Sequence, residues 1–309
     1  MGELPRAELA RRLRGPGLHL DTGAFTCRLQ IELPHLIDEF AAMYGPYPVE
    51  DDDAIDDFEL RVASPSLLRR WVRRQAQTWV DEAELIEALP LEHAYPGLES
   101  SMNLAVATID IAPLVVHSAA LERDGRALLM PAPSGSGKST LCAALAWRGW
   151  RLLSDEMAVF CFETGELRAN PRPISLKNRA VDIIAALEPR ARFSPLYRET
   201  NKGDIAYMQP PPEAIARLHE GAGPGLVVAP VYRLGSPVQL QPIERAAGLR
   251  WLIDNAVNYS SMLETGFELL AGFVERCELY SLTYSKLEEA IALIERLHTD
   301  LPPRSRSQH

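Results

Sequence analysis

Residues 132–140 read Ala132-Pro133-Ser134-Gly135-Ser136-Gly137-Lys138-Ser139-Thr140. An apolar run, Arg126-Ala127-Leu128-Leu129-Met130, leads in, and a helix-compatible run, Leu141-Cys142-Ala143-Ala144-Leu145-Ala146-Trp147, leads out. Strand, glycine-rich turn and helix start, in that order, make a phosphate cradle. Successive backbone N–H groups converge, and the helix dipole adds about half a positive charge. In such a cradle Lys138 reaches the outer phosphates and the Ser139 hydroxyl ligates Mg²⁺, with Ser134, Gly135, Ser136, Gly137 and Thr140 completing the turn. The expected ligand is a nucleoside triphosphate. Ala132 stands where the strict G-x-x-x-x-G-K-[ST] pattern has its first glycine, so its backbone is expected at negative φ, open to any L-residue.

Composition bounds the partners. The 309 residues have room for one large or two modest domains, and 47% apolar with 24% charged residues is ordinary globular content. A formal net charge of −10 and a pI near 5.3 argue against nucleic acid, and attraction for a polyphosphate must come from local groups. Cys27, Cys142, Cys161 and Cys277 lie far apart with no C-x-x-C pair, which reads as small core residues in a reducing compartment. No stretch approaches the roughly 18 apolar residues of a membrane span. The N-terminus has neither a myristoylation pattern nor the apolar stretch of an export signal. A cytoplasmic protein without membrane contact is expected.

Along the chain, residues 1–97 read as a small α+β module. Residues 18–33 alternate loosely as half-buried strands do, 36–44 have helical spacing, and 58–62 alternate as a strand. An acidic run at 50–57 and a basic one at 67–75, containing Trp71, read as two solvated surfaces. Residues 98–301 carry the cradle, and 302–309 are expected to be a disordered tail. A helix fits 98–111. Strands at 114–121 and 126–130 flank Asp124-Gly125, a hairpin signal. Gly149 stops the helix after the cradle, and a strand over Arg151-Leu152-Leu153 ends at Ser154-Asp155-Glu156. A hairpin then turns at Thr164-Gly165, residues 171–177 are extended, and Asn178 is expected to cap a helix to about 187. Residues 189–204 read as a loop. Strands follow at 226–234 and 238–242, helices at 244–259 and 262–275, and a strand at 278–283. The last helix is expected from Ser285, where Ser285-Lys286-Leu287-Glu288 fits a capping box.

A cradle alone names no reaction; a carboxylate source for the metal and a group for the acceptor proton are also needed. Asp155-Glu156 lies at the end of the strand after the cradle, where one carboxylate can hold Mg²⁺ and the other can take a hydroxyl proton. His117 lies on the strand before the cradle; on its own it reads as a satisfied core histidine.

The order His117-Ser118-Ala119, the cradle, and Gly149-Trp150-Arg151-Leu152-Leu153-Ser154-Asp155-Glu156 resembles the catalytic domain of bacterial HPr kinase/phosphorylase. With Pro171-Arg172-Pro173-Ile174-Ser175-Leu176-Lys177-Asn178, Lys202-Gly203 and Pro210-Pro211-Pro212, the chain is similar, more closely still, to the HprK-related kinase A family. The resemblance implies an α/β fold shared with HPr kinase and phosphoenolpyruvate carboxykinase, a P-loop variant built on a mixed, largely antiparallel sheet. It implies Asp155 as the proton-accepting carboxylate, Ser139 and Glu156 near Mg²⁺, and His117 close to the transferred phosphoryl group. The HPr kinase pair is two aspartates, whereas the second acid here is Glu156. The glycine-rich segment that follows that pair in HPr kinase is replaced by residues 171–177, which makes Arg172 and Lys177 candidates to contact phosphate or acceptor, with Lys202 a third cation.

The leading expectation is an ATP-dependent kinase acting, with Mg²⁺, on a hydroxyl, a serine of a protein or peptide. One rival is a nucleotide-gated binding module without turnover; another is a kinase for a small anionic molecule. The hexameric relatives also point to a homo-oligomer.

Overall fold

The computed structural model describes residues 1, 4–51, 53–108, 113–133 and 135–302. Ser134 of the cradle, the last residues of the helix expected over 98–111, and the tail from 303 lie outside them.

The chain begins with α1 (Arg6–Arg14), β1 (Leu18–Asp21), β2 (Thr26–Ile31), α2 (Pro34–Tyr44), β3 (Phe58–Ala63), β4 (Gln75–Val80), β5 (Leu89–Pro90) and α3 (Ala94–Thr108). Alternation in sequence becomes alternation in burial: β2 turns Cys27, Leu29 and Ile31 inward. Strands β1 to β5 form one sheet in chain order, with β2–β3 parallel and the other pairs antiparallel. Helix α2 opens on Pro34, whose missing N–H costs nothing in a first turn. It buries Leu36, Ile37, Phe40, Met43 and Tyr44, while α3 packs on β3 and β4. Most described residues of the acidic and basic runs face solvent, Ile55 and Trp71 being 93% and 83% exposed, whereas Asp56 is drawn in beside His19 Nδ1 at 2.9 Å.

A second, eight-stranded sheet is assembled by β6 (Leu114–Arg123), β7 (Arg126–Pro131), α4 (Lys138–Ala146), β8 (Arg151–Ser154), β9 (Met157–Phe160) and β10 (Leu167–Arg168). It is completed after an excursion through β11 (Ile174–Lys177), α5 (Arg179–Leu187), β12 (Tyr197–Thr200), β13 (Gly203–Met208) and α6 (Pro212–Ala216). Then come β14 (Gly223–Tyr232), β15 (Gln239–Pro242), α7 (Arg245–Asp254), α8 (Tyr259–Glu275), β16 (Glu278–Tyr284) and α9 (Leu287–Thr299). The strand order is β10-β9-β6-β7-β14-β16-β15, with β8 also on β6; only β7–β14 and β14–β16 are parallel. The protein is mixed α/β, and this sheet is itself mixed. Asp124 and Gly125 both take positive φ (52° and 73°) and close the β6–β7 hairpin in two residues.

The period of two in these strands sends alternate residues to opposite cores. Ala119, Leu121, Leu128 and Met130 join the face covered by α4, α5 and α9, whereas Ala120, Leu129 and Val227 join the face covered by α7 and α8. Cys142 and Cys277 are buried in these cores and Cys27 in that of the first sheet, while Cys161 is half-buried; all four are free thiols.

Three local expectations are corrected. Residues 197–204 are not loop: β12 and the start of β13 form a hairpin turning at Asn201-Lys202, and with β11 these strands make a third sheet, β11-β13-β12. Its outer strand exposes Arg198 and Glu199, so its composition reads as loop although Tyr197 is buried. Asn178 does not cap α5. Its backbone φ is +52°, its N–H extends the β11–β13 ladder to Asp204 O (2.7 Å), and its Oδ1 accepts from Asp204 N–H (3.2 Å). Ser285 does not cap α9, which begins at Leu287; the Ser285 hydroxyl instead accepts from Gly235 N–H at 2.9 Å. In addition, the expected helix over 262–275 starts at Tyr259 and breaks at Leu263, whose φ is +40°. Among the described residues no helix is long and apolar enough to cross a membrane.

Candidate phosphate-binding and catalytic site

The turn between β7 and α4 has the backbone that its glycines allow. Gly135 and Gly137 take φ of +86° and +88°, and Ala132 is not among the positive-φ residues. At Gly135 a Cβ would meet open space; at Gly137 it would collide with the Tyr284 hydroxyl and press on Tyr232. Tyr284 donates to Gly137 O (3.2 Å) and Tyr232 N–H donates to Ser136 O (2.9 Å), so the ends of β16 and β14 clamp the turn. Helix α4 starts at Lys138 with no side-chain cap. Its first N–H groups therefore have no cap to satisfy them, the state in which a helix start accepts an anion.

The register of β6 brings His117 to this turn. Ser118 pairs with Pro131 at the end of β7, and His117 pairs with Met157 at the start of β9. Because β8 and β9 lie along the same edge of β6, the Asp155-Glu156 link between them falls opposite these residues, fixed by Ser118 N–H to Glu156 O at 3.0 Å. The expected cluster is thus assembled. Lys138 Nζ lies 3.2 Å from His117 Nε2. Burial first, then the Lys138 charge, pushes the His117 pKa down. That shift favours the neutral ring, which can accept from the ammonium. Lys138 is 7% exposed, and burial lowers its pKa against the pull of Asp155 and Glu156.

The two acids differ sharply. Asp155 is buried, and desolvation pushes its pKa up to about 6. Its Oδ2 accepts from Ser175 N–H at 3.1 Å. Its buried Oδ1 makes no hydrogen bond of ordinary geometry, although the Ser139 hydroxyl is near enough to favour the carboxylate. Burial also works to raise the Glu156 pKa, but nearby cations, Lys202 foremost, outweigh it and hold it below the usual value. Asn103 Nδ2 donates to Glu156 Oε2 at 2.7 Å, and the same amide's Oδ1 accepts from Arg172. Arg172 lies 3.8 Å from Glu99, which accepts from the Tyr44 and Tyr95 hydroxyls at 2.9 and 2.8 Å.

A cavity of about 1010 Å³ gathers most of the expected site: His117, Lys138, Ser139, Asp155, Glu156 and Lys177 line it, with Gly135, Gly137, Thr140 and Lys202. Arg172 does not line it. The guanidinium lies behind the acids, on a chamber of about 20 Å³ shared with Asp155, Glu156 and Lys202. Ser136 lies in the turn but not on the cavity wall.

Two features bear on whether a polyphosphate and its metal fit. The turn faces open space at Gly135, and Asp155 Oδ1 is a buried acceptor without a hydrogen-bond partner beside the Ser139 hydroxyl. Among the described residues no group of three or more His, Cys, Asp or Glu could hold a metal by itself. Mg²⁺ needs only one or two protein oxygens when phosphates and waters supply the rest. The donor set of Ser139, Asp155 and Glu156 fits that pattern.

Sequence reasoning missed Glu99, Asn103 and Tyr284. The first two stand four residues apart on α3, a polar pair within a largely buried helix, and that spacing was their one signal. Tyr284 closes β16 and carried none.

No protein-family model matches the chain, and no curated protein matches its sequence. Among solved structures it is similar to the Hpr(Ser) kinase/phosphatase from Coxiella burnetii, at 15% identity and a TM-score of 0.25, over 59% of this chain and 92% of that one.

Proposed function

We propose that the protein is an ATP-dependent kinase that transfers a phosphoryl group to a hydroxyl of a protein or peptide, serine being the expected acceptor. One observation carries this reading: a lysine at a helix start, a histidine 3.2 Å from it and two adjacent carboxylates line a single large cavity beside the glycine-rich turn. In this reading residues 98–301 form the kinase domain, residues 1–97 support it, and the protein acts in the cytoplasm.

Each group then has a task. The turn amides and Lys138 hold the outer phosphates, and Lys177 and Lys202 bring further positive charge to the same cavity. Bound Mg²⁺ would be held by Ser139 and Glu156 and would neutralise charge on the phosphate oxygens. Asp155, with a pKa near 6, is ionised at neutral pH yet basic enough to take the acceptor's proton. His117 keeps the Lys138 ammonium in place by accepting its hydrogen bond. Phosphoryl transfer asks mainly for positioning and charge stabilisation, and losing one such cation costs on the order of 10³ in rate.

The test is nucleotide binding and labelled-ATP transfer to co-expressed proteins and serine peptides, with Lys138→Ala as the comparison. Transfer that disappears in Lys138→Ala supports the reading. Binding without transfer to any acceptor supports the scaffold alternative, and equal transfer by both proteins ends the proposal.

A further inference from the structure

The loop from β3 to β4 reads Ser64-Pro65-Ser66-Leu67-Leu68-Arg69-Arg70-Trp71-Val72-Arg73-Arg74. Its regular structure is one 3₁₀ turn, Leu68–Arg70, which buries none of its residues. Leu67, Leu68, Trp71 and Val72 are 53–83% exposed. Large apolar side chains standing together in water mark a contact surface. The arginines between them add charge that nothing local neutralises. Residues 64–80 contain no acid, and among the described residues only Arg70 of the four has an ion pair, with Glu32 at 3.0 Å.

The opposite end of the same sheet carries the opposite charge. Residues 50–57 lead into β3, and residues 81–87 leave β4 beside the start of β3, where Asp81 N–H donates to Glu59 O. Glu50, Asp51, Asp53 and Glu82 are exposed there and have no ion pair among the described residues. Ile55, in their midst, is the most exposed large apolar side chain among the described residues. Two contacts fix the ends. Asp57 accepts from Thr26 N–H (2.8 Å) at the start of β2, whereas Arg70 reaches Glu32 just past the end of β2. The six residues of β3 hold the two ends about 20 Å apart. At physiological salt, exposed charges are screened beyond about 8 Å. One chain therefore cannot satisfy its own basic loop with its own acidic end.

We infer that the loop over residues 64–74 docks on the acidic end of the first sheet of a second copy of this chain. Its arginines meet the unpaired carboxylates, and its apolar side chains cover Ile55. A second copy is favoured over an anionic lipid surface because one contact covers both unpartnered faces. Lipid would take up the loop and leave the acidic end and Ile55 bare. The two faces differ, so the contact is head-to-tail, and each copy keeps one face for a further neighbour. One loop on one sheet end makes a small, transient interface, below ~1,200 Å² in total. None of these residues lines the large cavity, so the inference stands apart from the kinase reading.

The experiment is sedimentation velocity on the full chain over a concentration series, at ~0.05 M and ~0.5 M salt. The wild type should form species heavier than the 34.3 kDa monomer at low salt, and high salt should weaken the association at least about tenfold. Two variants blunt one face each. Trp71→Ser, Arg73→Ser and Arg74→Ser together blunt the loop; Asp51→Asn, Asp53→Asn and Ile55→Ser together blunt the acidic end. All six side chains face solvent, so both variants keep the fold, which circular dichroism verifies. Each variant alone should run as a monomer. Mixed in equal amounts, the two should give a species of two chains and nothing larger, since each brings the face that the other lacks. A wild type that stays monomeric overturns the inference, as does association that salt or either variant leaves unchanged. A mixture that stays monomeric or grows past two chains overturns it as well. A monomeric wild type that co-sediments with phosphatidylserine vesicles, and releases them in the loop variant, gives the loop to a lipid surface instead.

Discussion

Asp155 and Glu156 are adjacent in sequence, yet burial dominates one and neighbouring cations the other. The raised Asp155 pKa fixes a stability sign. The folded protein holds this proton more tightly than the unfolded chain, so Asp155 favours folding at low pH, and the benefit is lost as pH rises from 3.8 through about 6. Asp155→Asn should therefore raise unfolding free energy by about 1–3 kcal/mol at pH 7.5 and by almost nothing near pH 4, in urea titrations at both pH values. Its phosphoryl transfer should be gone at every pH. In the wild type, transfer should fall off below pH about 6 as the carboxyl protonates, which a pH–rate profile reads directly.

At the scale of elements, the turn before α4 shows two glycines with the same φ and different surroundings. Gly135→Ala carries only the left-handed strain, about 1 kcal/mol. Gly137→Ala adds the collision with Tyr284 and should shift the start of α4, losing nucleotide affinity more than tenfold where Gly135→Ala loses little. Thermal melts and calorimetry on both variants separate strain from clash. A second element-level device holds β6 to β8: Arg151 and Glu122, 4% and 3% exposed, pair at 2.6 Å. Glu122 Oε1 also accepts from Gly125 N–H at 2.6 Å in the hairpin turn. Glu122→Ala strands a buried guanidinium and should cost about 3–5 kcal/mol in chemical denaturation.

Across the whole molecule, α3 joins the first sheet to the site. Tyr44 and Tyr95 hold Glu99, while Asn103, one turn further on, takes Arg172 on one side and Glu156 on the other. The Tyr47 hydroxyl donates to Pro171 O, beside Arg172. The buried cluster of the first sheet also takes in Val115, Val159, Tyr197 and Tyr207 from later strands. Asn103→Leu removes both amide contacts at a position off the wall of the large cavity. It should slow transfer about 10–100-fold while ATP affinity holds, a split that single-turnover kinetics and calorimetry resolve.

The sequence alone determined the glycine-rich turn before α4, because a helix start, two positive-φ glycines and a lysine are local features of a continuous segment. It equally set the β6–β7 hairpin through Asp124-Gly125, and the two-sided burial of β6 and β7 through their period of two. It misread residues 197–204, whose polar edge strand looks like loop until β13 pairs with it, and it gave Asn178 and Ser285 to helices they do not cap. Those side chains bond residues 26 and 50 positions away, and no local pattern encodes such a partner. Tertiary structure alone decided that His117 meets Lys138 and that Arg172 stands behind the acids instead of in the cavity. It also decided that Asp155 loses its water while Glu156 keeps company with cations. The physical reason is the same in each case: strand register and desolvation arise between segments distant in sequence, so they exist only once the sheets have formed.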